Sequence, residues 1–225
     1  MNAKQAAGYR AAELVRDGMI VGLGTGSTAY YAIEKIGQRV AEGLQIRAIA
    51  TSKASEELAE KYGIPLIPAS EIQRLDLAID GADEVDPGMA LIKGGGGALL
   101  REKLVAINSD RFIVIADSGK MVSQLGQFKL PIEIVPFSYE WTLGQLQRRY
   151  DVDFEMRTRD GGLYVTDNGN YIVDAAFGAI ESPAQLSHEL KMMTGVVDHG
   201  LFVDIADTVI VGYDDGTTEV IEKKG

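Results

Sequence analysis

The sequence predicts an α/β protein with a Rossmann-like, doubly wound and mostly parallel sheet, followed by a smaller α+β domain. Short apolar runs alternate with helical patterns over residues 19–120, which indicates parallel strands joined by crossover helices. A glycine-rich turn, Gly24 to Gly26, separates the first of these strands from its helix. After about residue 130 the order becomes β-α-β-β-α-β, which predicts a ferredoxin-like second domain.

The elements of the first domain follow from apolar periodicity and from glycine and proline stops. Its predicted helices cover residues 2–16, 27–42, 52–62 and 98–108. Its predicted strands are Met19–Leu23, Ile46–Ala50, Leu75–Ile79, Met89–Ile92 and Arg111–Ala116. Gly63 and Pro65 end the third helix, since glycine suits the position after a helix and proline cannot continue one.

The second domain is predicted from shorter segments and from turn chemistry. Its strands are Pro131–Val135, Asp151–Thr158, Leu163–Thr166, Tyr171–Val173 and Gly200–Asp204, and its helices are Tyr139–Tyr150 and Pro183–Met193. The segment Asp167 to Asn170 (DNGN) is a strong hairpin signal. We expect a last segment, Asp207–Glu222, to rejoin the first domain. The predicted domains are therefore residues 1–130 with 205–225, and residues 131–204.

Charge and composition exclude several classes of function. The net charge of −11 argues against nucleic acid or an anionic membrane surface as a partner. The chain has no cysteine, which excludes disulfides, thiolate zinc sites and cysteine nucleophiles. The N-terminus lacks the apolar core of a signal peptide, and no apolar run is long enough to span a bilayer. We therefore expect a cytoplasmic protein.

The first glycine loop allows two interpretations. Gly24-x-Gly26-x-x-Ala29 matches the dinucleotide fingerprint, but the acidic residue expected about 20 residues later is missing. The loop instead carries the hydroxyls of Thr25, Ser27 and Thr28, which suit a phosphate monoester at a helix N-terminus. The alternative is a tight βα turn in which these hydroxyls are only helix caps.

The stretch from Asp80 to Glu102 holds most of the candidate chemistry. Asp80 and Asp83 follow a buried strand, so they lie at the sheet edge where α/β proteins bind ligands. With Glu84 and Asp86 they indicate a hard-metal site, ordinary turn chemistry, or acid–base catalysis on a small polar substrate. Lys93 precedes four glycines, unlike the lysine of a P-loop, so its ammonium and the loop amides are suited to one oxyanion.

Spacing alone assigns no role to Glu102 or to the histidines. The helical pattern places Leu99, Leu100, Leu104 and Ile107 on one face and Glu102 on the opposite, solvated face. His188 and His199 are isolated in the sequence, and a lone histidine is more often structural than a ligand. A catalytic triad or a zinc site is therefore not predicted.

Several motifs together resemble one family. GLGTGSTA, DGADEVD, LIKGGGGALLREK, IADSGK, LPIEIVPF and GVVDHGLF are similar, in the same order, to ribose-5-phosphate isomerase of type A. The resemblance implies that Glu102 is the proton acceptor, and that Asp80, Asp83 and Lys93 are catalytic. It also implies these substrate contacts: Lys4, Thr25, Gly26, Ser27, Thr28, Asp80, Gly81, Ala82, Asp83, Lys93, Gly94, Gly95, Gly96 and Lys120.

The resemblance also implies a reaction and its partners. The family interconverts ribose 5-phosphate and ribulose 5-phosphate through an enediolate, in the non-oxidative pentose phosphate pathway. It implies no metal, no cofactor, and a homodimer or homotetramer. In that chemistry Lys93 and the glycine-loop amides stabilise the oxyanion, while Asp80, assisted by Asp83, moves the hydroxyl proton. Two alternatives remain open: a sugar-phosphate-binding or sensing module of the same fold, and a nucleotide-dependent oxidoreductase.

Overall fold

The computed structural model describes residues 1–223, which form six α-helices, fifteen β-strands and two short 3-10 turns at Ala69–Glu71 and Ser118–Lys120. The helices are α1 Ala3–Ala12, α2 Ser27–Ala41, α3 Lys53–Lys61, α4 Leu99–Ile107, α5 Tyr139–Arg149 and α6 Pro183–Lys191. The strands are β1 Ile20–Leu23, β2 Arg47–Ala50, β3 Leu77–Gly81, β4 Glu84–Val85, β5 Leu91–Ile92, β6 Phe112–Asp117, β7 Leu130–Ile134, β8 Phe154–Met156, β9 Thr158–Arg159, β10 Gly162–Leu163, β11 Tyr171–Ala175, β12 Val196–His199, β13 Leu201–Phe202, β14 Thr208–Gly212 and β15 Thr218–Glu222. The predicted α/β fold class is confirmed.

The first of two compact units comprises Met1–Ala82, Arg101–Met121 and the residues from Ile205 on. It contains a six-stranded sheet in the order β15-β14-β6-β3-β1-β2, in which only β15 runs antiparallel to its neighbour. The central strands β6 and β14 are almost wholly apolar and buried, as expected for strands covered on both faces. Helices α1 and α2 cover the sheet, with small buried residues such as Ala7 and Ala11 at the contact.

The strand order of this sheet contains a topological switch point. Strand β2 lies on one side of β1, and β3 lies on the other. The connections leaving β1 and β3 therefore part in opposite directions, which opens a crevice at their carboxyl ends. Gly24 follows β1 at this edge, and Asp80 lies near the end of β3.

The second unit comprises Asp83–Leu100 and Val122–Asp204. Its main sheet is antiparallel, with the order β12-β7-β11-β8, and α5 and α6 contribute to its core. This is the ferredoxin-like order predicted for the second domain. A three-stranded sheet, β13-β5-β4, and the hairpin β9–β10 complete the unit.

Several details differ from the prediction. The predicted fourth strand, Gly200–Asp204, is wrong: the main sheet takes β12 instead, while β13 pairs with β5. The division of the chain into units also differs. The pairing of β13 with β5 groups the segment from Asp83 to Leu100 with the second unit, whereas the sequence pattern placed this segment in the first domain. Within residues 1–223, no helix is both long and apolar enough to cross a bilayer.

Candidate active site

Asp80 is fixed against the first glycine loop, within the first unit. Its side chain is 2% exposed, and its Oδ1 accepts hydrogen bonds from the amides of Thr25 at 3.0 Å and Gly81 at 2.7 Å. A β-carbon at Gly24 would lie 2.1 Å from the same oxygen, so only glycine permits this approach. The loop after β1 and the carboxylate at the end of β3 therefore form one rigid feature of the switch point.

The hydroxyl of Thr25 belongs to a cluster of four hydroxyl groups. It lies 2.8 Å from the hydroxyls of Thr51 and Ser52, and 3.0 Å from that of Ser55. The Ser55 hydroxyl also donates to the carbonyl oxygen of Gly24 at 2.6 Å. The Thr25 side chain therefore holds the loop in place. These three partners could not be predicted from the sequence, because they lie 26, 27 and 30 residues from Thr25 and no local pattern relates them to it.

The N-terminus of α2 carries the remaining hydroxyls predicted to contact a substrate. Gly26, with φ of +107°, is the N-cap and offers no side chain, so the first amides of the helix point into the loop. The Ser27 hydroxyl accepts a hydrogen bond from Lys4 Nζ at 2.9 Å, while Thr28 is buried. A cleft of about 720 Å³ is lined by residues 24–27 together with Lys4.

Lys120 and Lys4 line a second cleft in the same unit. This cleft has a volume of about 730 Å³, and Asp117, Ser118 and Asp214 also line it. Lys120 ends the 3-10 turn that follows β6, and Asp117 caps this turn by accepting from the Gly119 amide at 3.1 Å. The structure therefore brings two predicted phosphate ligands, distant in sequence, to one cleft, although the protein as a whole is strongly anionic.

Glu102 is buried, which corrects the sequence prediction for α4. Its side chain is 4% exposed, whereas Leu104 and Ile107 are 50% and 51% exposed. The buried face of α4 instead holds Leu99 and Val105 on either side of the glutamate. The sequence LLREKLVAI offers two overlapping apolar stripes, so periodicity alone could not decide between them. A buried glutamate is costly and therefore marks a functional candidate.

Asp83 and Lys93 lie in the second unit. The Asp83 amide donates to the Ile92 carbonyl at 2.8 Å, and its Oδ2 accepts from the Gly95 amide at 2.8 Å. Lys93 follows β5 and is 2% exposed, with its Nζ 5.4 Å from the centre of the Phe202 ring. Asp83 is thus hydrogen-bonded to the glycine loop, and the buried Lys93 immediately precedes this loop in the chain.

The glycine loop uses part of its backbone for its own support. Gly94 and Gly97 have φ of +98° and +85°, which favour glycine. The Gly95 amide binds Asp83, and the Gly97 amide donates to the Gly94 carbonyl at 2.9 Å. Over residues 1–223, the amides of Gly94 and Gly96 donate to no other group. Of the four loop amides expected to serve one oxyanion, only those of Gly94 and Gly96 therefore have no other acceptor in the described chain.

The other acidic residues of the cluster have structural partners. Glu84 accepts hydrogen bonds from the amides of Gly126 at 2.7 Å and Phe128 at 2.6 Å. Asp86 accepts from the Ala90 amide at 2.8 Å and so closes its turn. In the described part of the chain, no three histidine, aspartate or glutamate side chains form a group suited to a metal ion. Buried His199 accepts from the Leu201 amide at 3.2 Å, as expected of a structural histidine.

Comparison with known proteins gives a consistent picture. Residues 47–216 match the family model of ribose 5-phosphate isomerase A, also called phosphoriboisomerase A. A ribose-5-phosphate isomerase A from Bacillus mycoides (strain KBAB4) is 52% identical over 220 residues, which are 97% of this chain and 99% of that protein.

Solved structures agree with the sequence comparison. Ribose 5-phosphate isomerase from Plasmodium falciparum superimposes with a TM-score of 0.95 at 40% identity, over 99% of this chain and 98% of that one. A D-ribose-5-phosphate isomerase in complex with phospho-erythronic acid gives a TM-score of 0.94 at 38% identity, over 99% of this chain and all of that one.

These matches, on a fold with a ligand crevice at its switch point, define an aldose–ketose isomerase. The chain belongs to the ribose 5-phosphate isomerase A family.

Proposed function

We propose that the protein interconverts D-ribose 5-phosphate and D-ribulose 5-phosphate in the non-oxidative pentose phosphate pathway. The observation that carries the proposal is a set of ionisable side chains, Asp80, Lys93 and Glu102, each at most 4% exposed. Burial of such groups costs free energy, so their presence at the sheet edge and in the glycine loop favours catalysis over structure. The family membership of the chain supports the same substrate.

The substrate phosphate is assigned to the first unit. The N-terminus of α2 offers amides and the hydroxyls of Ser27 and Thr28, while Lys4 and Lys120 supply positive charge. Helix N-termini favour anions, and lysine is a common phosphate ligand. These groups give local attraction for a phosphate monoester against the net charge of −11.

Glu102 is assigned as the general base. Its carboxylate takes the C2 proton of the open-chain aldose, which leaves an enediolate with negative charge on O1. The protonated Glu102 then returns this proton to C1, while the hydroxyl proton moves from O2 to O1. One base is sufficient because C1 and C2 are adjacent, and the product ketose contains the same atoms as the aldose.

Lys93 and the amides of Gly94 and Gly96 are assigned to the enediolate oxygen. A buried ammonium and preoriented amides stabilise negative charge far better than water does. The glycine loop runs directly into α4, which carries Glu102, so the base and the oxyanion donors belong to one continuous segment.

Asp80 and Asp83 are assigned to proton transfer between oxygens and to opening of the furanose ring. Each carboxylate is held by backbone amides, Asp80 by those of Thr25 and Gly81, and Asp83 by that of Gly95. These hydrogen bonds hold each carboxylate in one orientation. Both residues are therefore suited to accept a hydroxyl proton and to return it.

The proposal is tested by incubating the purified protein with ribose 5-phosphate, with no cofactor added, and measuring ketose formation. We expect turnover of ribose 5-phosphate and poor turnover of unphosphorylated ribose. Binding of ribose 5-phosphate without turnover would instead support a sensing module. A requirement for a nicotinamide nucleotide would support an oxidoreductase.

From the family resemblance we also infer a homodimer or homotetramer, and we infer a cytoplasmic location as well. Light scattering coupled to size-exclusion chromatography measures the oligomeric state. A monomer at micromolar concentration would contradict the first inference.

A further inference from the structure

Three carbonyl oxygens of the glycine loop are held by side chains from the segment that contains β8 to β10. Arg157 donates from Nη1 to the carbonyl oxygens of Gly94 at 2.9 Å and Gly95 at 3.2 Å. Tyr164 donates from its hydroxyl to the Gly96 carbonyl at 3.4 Å. All of these residues belong to the second unit. The family motifs described above include neither Arg157 nor Tyr164.

Arg157 is itself fixed by an ion pair. Its Nε and Nη2 bind the two carboxylate oxygens of Asp174, at 2.9 and 2.5 Å, in a bidentate arrangement. The two side chains are only 15% and 17% exposed. A bidentate guanidinium–carboxylate pair has one favoured geometry, so it leaves Nη1 directed at the loop.

The planarity of the peptide bond transmits this contact to the opposite side of the loop. In a trans peptide the carbonyl of one residue points away from the amide of the next. Holding the Gly94 carbonyl therefore directs the Gly95 amide toward Asp83, to which it donates at 2.8 Å. Holding the Gly95 carbonyl directs the Gly96 amide away from Arg157, and this amide has no acceptor among residues 1–223.

Glycine gives the loop little conformational restraint of its own, so such support is needed. Gly95 and Gly96 are exposed, and a peptide between two glycines rotates at low cost. A rotated peptide would present a carbonyl oxygen, rather than an amide, to a negatively charged intermediate. The Gly96 amide, one of the two assigned oxyanion donors, therefore depends on the group that holds the Gly95 carbonyl.

We propose that Arg157, fixed by Asp174, is a positioning residue for the isomerisation, acting through the Gly94–Gly96 peptides on the oxyanion donor and on Asp83. The inference rests on the proposed function. It predicts that loss of the guanidinium lowers turnover without weakening the hold on the phosphate, because the phosphate ligands lie on other residues. The proposal assigns Arg157 no contact with the reacting atoms or with the phosphate.

The test is Arg157→Met, with Arg159→Met as the matched control. Arg159 also lies near the Tyr164 ring, with its guanidinium carbon 4.5 Å from the ring centre, but it donates to no loop carbonyl in the described chain. We expect Arg157→Met to lower kcat by about 10- to 100-fold, less than the loss of an oxyanion donor outright. KM for ribose 5-phosphate should stay within about threefold of the parent value. The control should keep parental kinetics.

Two binding measurements separate positioning from general damage. Affinity for phospho-erythronic acid, which carries a carboxylate, should fall in Arg157→Met, whereas affinity for inorganic phosphate should not. A kcat equal to that of Arg159→Met would overturn the proposal. So would a parallel loss of kcat and of phosphate affinity. If Arg157→Met does not fold, Asp174→Asn provides the same test with the guanidinium retained but no longer locked.

Hydrogen–deuterium exchange of the loop provides a readout that does not depend on activity. The amides of Gly95 and Gly97, which donate to Asp83 and to the Gly94 carbonyl, should exchange faster in Arg157→Met than in Arg159→Met. If the parent protein fails to isomerise ribose 5-phosphate, the proposed function fails, and exchange alone then decides whether Arg157 orders the loop. Equal exchange in the two variants would overturn the positioning role.

Discussion

Gly24 lies directly against Asp80: a β-carbon at position 24 would lie 2.1 Å from Asp80 Oδ1 and 2.6 Å from its Cα. The structure offers no room for it, because Asp80 is buried and held by two amides. Gly24→Ala should therefore displace the carboxylate or the loop. We expect kcat/KM to fall by roughly 10²-fold or more, the cost of a displacement of about 1 Å at a catalytic group.

The matched control is Gly162→Ala, because a β-carbon there would meet no atom within 4 Å and the backbone is not in the left-handed region. This variant should keep parental kinetics. The measurement is kcat/KM of both variants by steady-state kinetics, with thermal melts to verify that each protein is folded. Parental activity in Gly24→Ala would show that Asp80 does not need its observed position.

Glu102→Gln tests the assigned general base. The substitution keeps the size and the hydrogen bonding of the side chain but removes its basicity. Turnover should fall by at least the roughly 10²–10⁴-fold typical of a lost general base, with KM nearly unchanged. Exchange of the C2 hydrogen with solvent deuterium should fall in parallel, because the same group performs both steps.

A Glu102→Gln protein with near-parental turnover would contradict the assignment, and Asp83 would then become the candidate base. The neighbouring Lys103→Gln provides a control on the same helix, outside the predicted site. It should retain most of the parental turnover.

Lys120→Ala and Thr28→Ala test the phosphate site. Each removes one assigned contact to the phosphate, and a hydrogen bond to a charged group contributes enough that KM should rise by about 10- to 100-fold. Turnover of unphosphorylated ribose should stay poor in parent and variants alike. Lys129→Ala is a suitable control, since Lys129 pairs with Glu155 on the surface of the second unit. Equal turnover of ribose and ribose 5-phosphate by the parent would refute the site.

Chelation tests the expectation that no metal ion takes part. Glu84 and Asp86 already bind backbone amides, and the proposed mechanism uses Asp80 and Asp83 for protons. Activity should survive exhaustive treatment with a chelator, as measured by the initial rate on ribose 5-phosphate. Inactivation that Mg²⁺ or Mn²⁺ reverses would restore the metal-site interpretation.

Tyr150 should make stability depend on alkaline pH. Burial, followed by the hydrogen bond to Glu189, raises the pKa of Tyr150 to about 12. The folded state thus holds this proton more tightly than the unfolded state, whose tyrosine pKa is about 10. The resulting stability is complete below about pH 10 and is lost as the pH rises toward 12. Urea midpoints should therefore fall less steeply above pH 10 in Tyr150→Phe; equal slopes would contradict the shift.

The sequence predicted the fold class well because its signals are local. The apolar runs at β3 and β6, and the turn signals around Gly161 and Gly169, each specify their own segment. It failed where pairing is decided at a distance. The fourth strand is Val196–His199 rather than Gly200–Asp204 because the first segment pairs with β7, whereas Leu201–Phe202 in the second pairs with β5.

For the candidate site, too, local patterns were informative and contacts between distant residues were not predicted. The motif residues could be named as candidates from the sequence, since DGAD and the tetraglycine are distinctive patterns. The burial of Glu102 was missed because α4 has apolar residues on more than one face. The partners of the glycine loop were also missed, since Arg157 lies more than sixty residues from Gly94 and no local pattern relates them.

The position of β14 has a consequence for the order of synthesis. Strand β14 pairs with β6, although about ninety residues, including the larger part of the second unit, are translated between them. Until β14 leaves the ribosome, β6 is an open edge of apolar backbone, the kind of surface that recruits other chains. The second unit can thus begin folding while the six-stranded sheet is still incomplete, and a nascent chain halted before β14 should be a favoured client of chaperones.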